Sequence, residues 1–214
     1  MKCKFLFLLI FSFFISQAFA QYPEVETKLD RKVKSFLEEN ASNWKDMNVT
    51  LSDGKLLYDL VLKNDYKSAV EIGTSTGHSA IWIAWALSKT GGKLITIEID
   101  KERYLQAKAN FKKAGVSDYI DARLGDAHNL VPQLPGKYDF VFCDADIYWY
   151  KNYFTAMDPK LILGGCFVAR NTTQRNRGIR EFLDYVQSRD NYITTFDPHS
   201  RSGMSISYKT SEDE

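Results

Sequence analysis

From about residue 68 onward, short apolar runs alternate with helix-like segments, and most runs stop at a glycine or an acid. Residues 68–72 (SAVEI), 93–99 (KLITIEI), 119–124, 138–143 (YDFVFC) and 161–169 read as strands. Between and after them, residues 79–87, 101–114, 126–134, 150–157 and 176–188 read as helices. Two further strands, 192–196 and 204–208, close the pattern, and helices at 25–39 and 56–62 precede it. Strands separated by helical crossovers predict an α/β fold with a central, mostly parallel seven-stranded sheet. Right-handed crossovers put helices on both faces. Ligands of such sheets bind beyond the carboxyl ends of the strands. The residues to examine are therefore those following Ile72, Ile97, Leu124, Cys143 and Ala169.

The 214 residues carry 28 Lys and Arg against 27 Asp and Glu, which gives no electrostatic case for nucleic acid. Three cysteines exclude a disulfide scaffold, and Cys143 and Cys166 lie in apolar runs as small buried thiols. The N-terminus has a different character. Lys2 and Lys4 precede an almost wholly apolar run, residues 5–15, and Ala18-Phe19-Ala20 follows. That order reads as a secretory signal peptide over residues 1–20. The expected organisation is this signal, an N-terminal helical segment at 21–45, and one main domain at 46–214. It predicts export to a periplasm or beyond, with a membrane anchor as the lesser alternative and no stable membrane insertion after cleavage.

The turn after the first strand is Glu71-Ile72-Gly73-Thr74-Ser75-Thr76-Gly77-His78-Ser79. Its glycines allow a tight turn and close approach to a ligand. They are four apart, so this is not the G-x-G-x-x-G of dinucleotide enzymes, and it lacks the lysine of a P-loop. An acid two residues before Gly73 disfavours a pyrophosphate and suits a cationic ligand. Glu98, at the end of the second strand, is placed to accept hydrogen bonds from ribose hydroxyls. Gly125-Asp126-Ala127 follows the third strand and Asp144 ends the fourth.

Together these motifs resemble the class I S-adenosylmethionine-dependent methyltransferases, and within them the catechol and caffeoyl-CoA O-methyltransferase group. The resemblance runs from Met47 to Tyr208. It rests on Met47-Asn48-Val49, the Glu71–Ser79 turn, Ile97-Glu98-Ile99-Asp100, Gly125-Asp126-Ala127, Asp144-Ala145-Asp146 with Tyr150, and Leu163-Gly164-Gly165 through Asn171. It implies a Rossmann-like fold and S-adenosylmethionine (SAM) as cofactor. It assigns cofactor contacts to Val49, Glu71, Gly73, Ser75, Gly77, Ser79, Glu98, Ile99, Asp126, Ala127 and Asp144. His128 would border the adenine. The implied partner is a small hydroxylated or carboxylated acceptor, and a homodimer is compatible with the resemblance.

Two departures stand out. The family pattern has a lysine after D-A-D as general base; here Ile147 occupies that place. The family also binds a divalent cation through an Asp here and an Asp-Asn pair at the next strand end; this chain has Asp144, Arg170 and Asn171. Arginine is a permanent cation and not a metal ligand. A divalent metal is therefore not expected, and the Arg170 guanidinium would supply the positive charge in its place. Arg170, Asp144 and His128 are the candidate catalytic residues. Asn171, Tyr148, Trp149 and Tyr150 are the candidate acceptor contacts, the aromatics by stacking on a ring. A cofactor-binding protein that has lost catalysis is the alternative.

Overall fold

The computed structural model describes residues 26–44 and 47–212. The expected signal peptide lies outside the described residues. Five parallel strands form most of one sheet: β1 (Ser68–Ile72), β2 (Lys93–Glu98), β3 (Ile120–Leu124), β4 (Tyr138–Cys143) and β5 (Leu161–Arg170). β6 (Tyr192–Phe196) and β7 (Met204–Lys209) complete it, β7 running antiparallel to both β5 and β6. The order is β3-β2-β1-β4-β5-β7-β6. It reverses between β1 and β4, which is where a ligand cleft opens in a doubly wound sheet.

The central strands are buried on both faces, so they read as continuous apolar runs rather than alternating ones. Phe140 and Phe142 point into one core layer, Val141 and Cys143 into the other. The first layer holds α1 (Lys28–Glu39), α2 (Leu51–Lys63), α3 (His78–Thr90) and α4 (Lys101–Ala114). The second holds α5 (Ala127–Gln133), α6 (Tyr150–Met157) and α7 (Arg177–Gln187). Every residue of α3 from His78 to Leu87 is buried, because α2 and α1 cover the side that faces away from the sheet.

One local feature differs from expectation. α2 begins at Leu51, five residues before the predicted 56, with Thr50 as its cap. Ser52-Asp53-Gly54 reads as a helix start, but Gly54 is inside the helix. A Cβ there would lie 2.3 Å from the Trp82 ring, so the glycine is what lets α2 press on α3. The N-terminal helical segment is tied to the main domain through α3. Asp30 on α1 accepts from Trp85 Nε1 at 2.6 Å and pairs with Lys89 at 2.9 Å, both on α3. Among the described residues no helix is long and apolar enough to cross a membrane.

Candidate active site

The cleft is built from turns that leave the carboxyl ends of β1 to β4. Gly73 has φ 96°, and a Cβ on it would fall 2.4 Å from the Asp144 carbonyl oxygen. Any side chain here would push the ends of β1 and β4 apart. Ser75, at φ 49°, donates its amide to Glu98 at 2.7 Å; the Asp100 amide donates to the other Glu98 oxygen at 2.9 Å. The carboxylate at the end of β2 thus ties two turns together. After β3, Asp126 caps α5 by accepting from the His128 amide at 2.9 Å. These turns enclose a cavity of about 280 Å³ at the sheet's switch point.

Gly73, Ser75, Glu98, Ile99, Asp126, Ala127, His128 and Asp144 all line that cavity. Met47 and Tyr153 also line it, as do Arg103 and Asp146. Arg103 was not legible as a site residue, since it reads as one more charge on an amphipathic helix. The His128 ring stacks on Trp149 at 3.8 Å, and its nitrogens lie 3.6 Å from Asp126 and 3.5 Å from Asp146.

Four expected cofactor residues are not on this wall. Gly77 (φ 96°) starts α3, and a Cβ on it would strike Phe111 of α4 at 2.5 Å. Glu71 is wholly buried on the α3 side of the sheet. It accepts from Thr96 and faces Ser79. Burial pushes its carboxyl up to about 8, partly offset by those two hydroxyls. It braces the turn from behind. The Val49 carbonyl accepts from His78 Nδ1 at 2.9 Å, while His78 Nε2 accepts from Trp82 at 3.1 Å. With both nitrogens engaged and burial holding it down to about 4, His78 is a neutral structural link, not a base.

On the other flank, Arg170 donates to Asp144 at 2.9 Å and Asn171 donates to the second Asp144 oxygen at 2.8 Å. Asn171 adopts φ 65°, which turns its amide back toward Asp144. Burial raises the Asp144 carboxyl, and Arg170 and Asn171 partly offset this. A second acid, Asp53 from α2, approaches Arg170 Nε at 3.6 Å. Sequence reasoning missed it, because Asp53 reads as part of a helix start.

The aromatic run divides three ways. Tyr148 is exposed, and Trp149 backs His128. Tyr150 is a correction: it is fully buried, edge-to-face with Phe182 at 5.9 Å, because the first turn of α6 rotates it toward α7. It offers no ring face to an acceptor.

The cleft suits SAM: a turn only glycine allows, an acid ending β2 for the ribose, and an acid ending β4 for a cationic centre. Around Asp144 the polar partners are an arginine and an asparagine rather than further acids. Asp144 accepts from Arg170 and Asn171, and the permanent Arg170 cation lies against it. Hard cations need several oxygen ligands, and among the described residues no cluster of three His, Cys, Asp or Glu could hold one.

A seven-stranded sheet in this order, with such a cleft at its switch point, is the fold of a Rossmann-like class I methyltransferase. The O-methyltransferase family model matches residues 24–181, and the chain belongs to that family. It is 38% identical over 112 residues to a catechol O-methyltransferase of Niastella koreensis, covering 50% of each chain. It is 34% identical over 134 residues to caffeoyl-CoA O-methyltransferase 1 of Eucalyptus globulus, covering 60% of this chain and 54% of that one. The chain thus spans about half the length of the curated relatives it matches. The crystal structure of a Bacillus cereus O-methyltransferase in complex with SAH superimposes with a TM-score of 0.71 at 25% identity, covering 85% of this chain and 91% of that one.

Proposed function

We propose that this chain is a SAM-dependent O-methyltransferase for a small hydroxylated or carboxylated acceptor, and that it works without a divalent cation. The observation that carries this reading is the Arg170–Asp144 pair at 2.9 Å beside the cofactor cleft. When bound, SAM supplies an electrophilic methyl group on a sulfonium. Glu98 would hold the ribose, Ala127 and His128 would border the adenine, and Asp144 would face the cationic centre. Gly73 lets the backbone approach the cofactor, so that donor and acceptor are held in line. Arg170 would grip an acceptor oxyanion and favour its deprotonated form. Arg170 thereby does what a metal's charge would do. Ile147 takes no proton, which favours acceptors that arrive ionised or ionise on Arg170.

The test is methyl transfer from labelled SAM to a panel of catechols, phenols and carboxylic acids, with and without EDTA. Turnover unaffected by EDTA is expected. EDTA-sensitive turnover overturns the metal-free reading. Tight SAM binding with no acceptor methylated would leave the catalytically inactive alternative standing.

A further inference from the structure

Asp53 is 1% exposed, and neither of its carboxylate oxygens has a hydrogen-bond donor. Its backbone is already fixed by the α2 cap, the Asp53 amide donating to Thr50 Oγ1 at 3.1 Å. The side chain takes no part in that cap. Arg170 Nε, 3.6 Å away, likewise has no hydrogen-bond partner. The same guanidinium is committed to Asp144 at its other end, at 2.9 Å. A structural ion pair would be complete with Arg170 and Asp144 alone. Burying a second carboxylate without donors is costly, and such an orphaned group asks for an explanation.

The consequence is one of charge. Asp53 and Asp144 each bring one formal negative charge and Arg170 brings one positive, so the group carries one net negative charge. Among the described residues, Arg170 is the cation paired with these two acids. His78 is held neutral by burial, and Glu71 holds its proton to about pH 8. Trp82, packed on Gly54, has no charge. Asp53 also acts on Asp144 through space, pushing its carboxyl up, and Asp144 lines the cofactor cavity.

The donor and its product differ in this one respect: SAM is a sulfonium cation, and the demethylated thioether, SAH, is neutral at sulfur. We propose that Asp53 is a specificity-determining residue, the second carboxylate on Arg170 that keeps the site anionic and biases it toward the cationic donor and against the neutral product. The inference rests on the reading that the chain binds SAM. Asp53 acts through Arg170 and Asp144, so it is a positioning residue for charge, not a group that touches the reacting atoms.

The experiment is calorimetric titration of SAM and of SAH into the full chain, as wild type, Asp53→Asn and Asp53→Glu. Removing one buried unit charge near a bound cation is worth about tenfold in affinity. Asp53→Asn is expected to weaken SAM about tenfold while changing SAH less than about twofold. Asp53→Glu keeps the charge and is expected to keep the wild-type ratio. A merely structural role would move both ligands together, so an equal change, or none, in Asp53→Asn overturns the proposal. If that variant fails to fold, a Glu variant that binds with a lowered SAM-to-SAH ratio overturns it instead. Wild type that binds neither ligand removes the proposal and the methyltransferase reading together; wild type that binds both, with an unmoved ratio in Asp53→Asn, removes the proposal alone.

Discussion

The two flanks of the cleft are held by different kinds of bond. On the flank formed by β1, β2 and β3, acids accept from main-chain amides: Glu98 from Ser75 and Asp100, Asp126 from His128. On the flank formed by β4 and β5, side chains bind side chains: Arg170 and Asn171 to Asp144, with Asp53 reaching over from α2. A main-chain site constrains residue identity locally. It needs glycine where φ is strongly positive and an acceptor where amides converge, so it is written as a short motif. A side-chain site is set by whatever each distant position carries. A single residue can then change its chemistry, as Arg170 and Ile147 do where the family resemblance implies an acid and a lysine.

The sharpest way to break this comparison is to remove the cation. Arg170→Ala would leave Asp53 and Asp144 buried with no compensating charge. Stripping one partner from a buried pair costs about 3–5 kcal/mol. Denaturant unfolding should show a loss of that order, with part of it recovered when Asp53→Asn is added. A loss under about 1 kcal/mol would mean that water already compensates these acids, and that the flank is not held by charge.

The amide-bound flank should respond to mutation in binding more than in folding. Glu98→Gln keeps the shape but turns one acceptor into a donor facing an amide. A ribose hydroxyl that loses its charged acceptor forfeits about 1.5–3 kcal/mol. SAM and SAH should therefore weaken together, by about 10- to 100-fold. A change in SAM alone would show that Glu98 acts on the sulfonium rather than on the nucleoside that the two ligands share.

The same contrast explains what the sequence disclosed. The seven strands, their mostly parallel order and the cleft residues Gly73, Ser75, Glu98, Asp126 and Ala127 were legible, because each is fixed by neighbours within one strand-turn unit. Tyr150 was misread because one helical turn decides whether a residue faces the cleft or the core, and the aromatic run carries no signal for that choice. Asp53 was invisible as a site residue because its meaning depends on Arg170, brought near only when α2 packs on α3. Gly54 misled for a related reason: it is a glycine that serves packing against Trp82 rather than a turn.

A gentler perturbation separates the flanks by how each neutralises its buried acids. Beside β5, Asp144 and Asp53 share a guanidinium. Behind the β1 turn, Glu71 has no cation, only Thr96 and Ser79 hydroxyls, and it keeps a proton up to about pH 8 against 4.5 for a free side chain. A carboxyl that binds its proton more tightly when folded stabilises the fold fully below the unfolded value. That contribution is lost as pH rises through the folded value. The window is therefore about pH 4.5 to 8, and the loss is steepest midway, between about pH 5.5 and 7, at about 1.3 kcal/mol per pH unit. Glu71→Gln cannot ionise and should remove that slope, making the difference between the two stability curves grow steadily toward pH 8. His78 does not confuse the comparison. Held down to about 4 from 6.5, it weakens the fold only as pH falls, and it is the same in both proteins. Parallel curves for wild type and Glu71→Gln would mean that Glu71 is already ionised in the fold. The β1 turn would then need a cation of its own, and the two flanks would be stabilised alike.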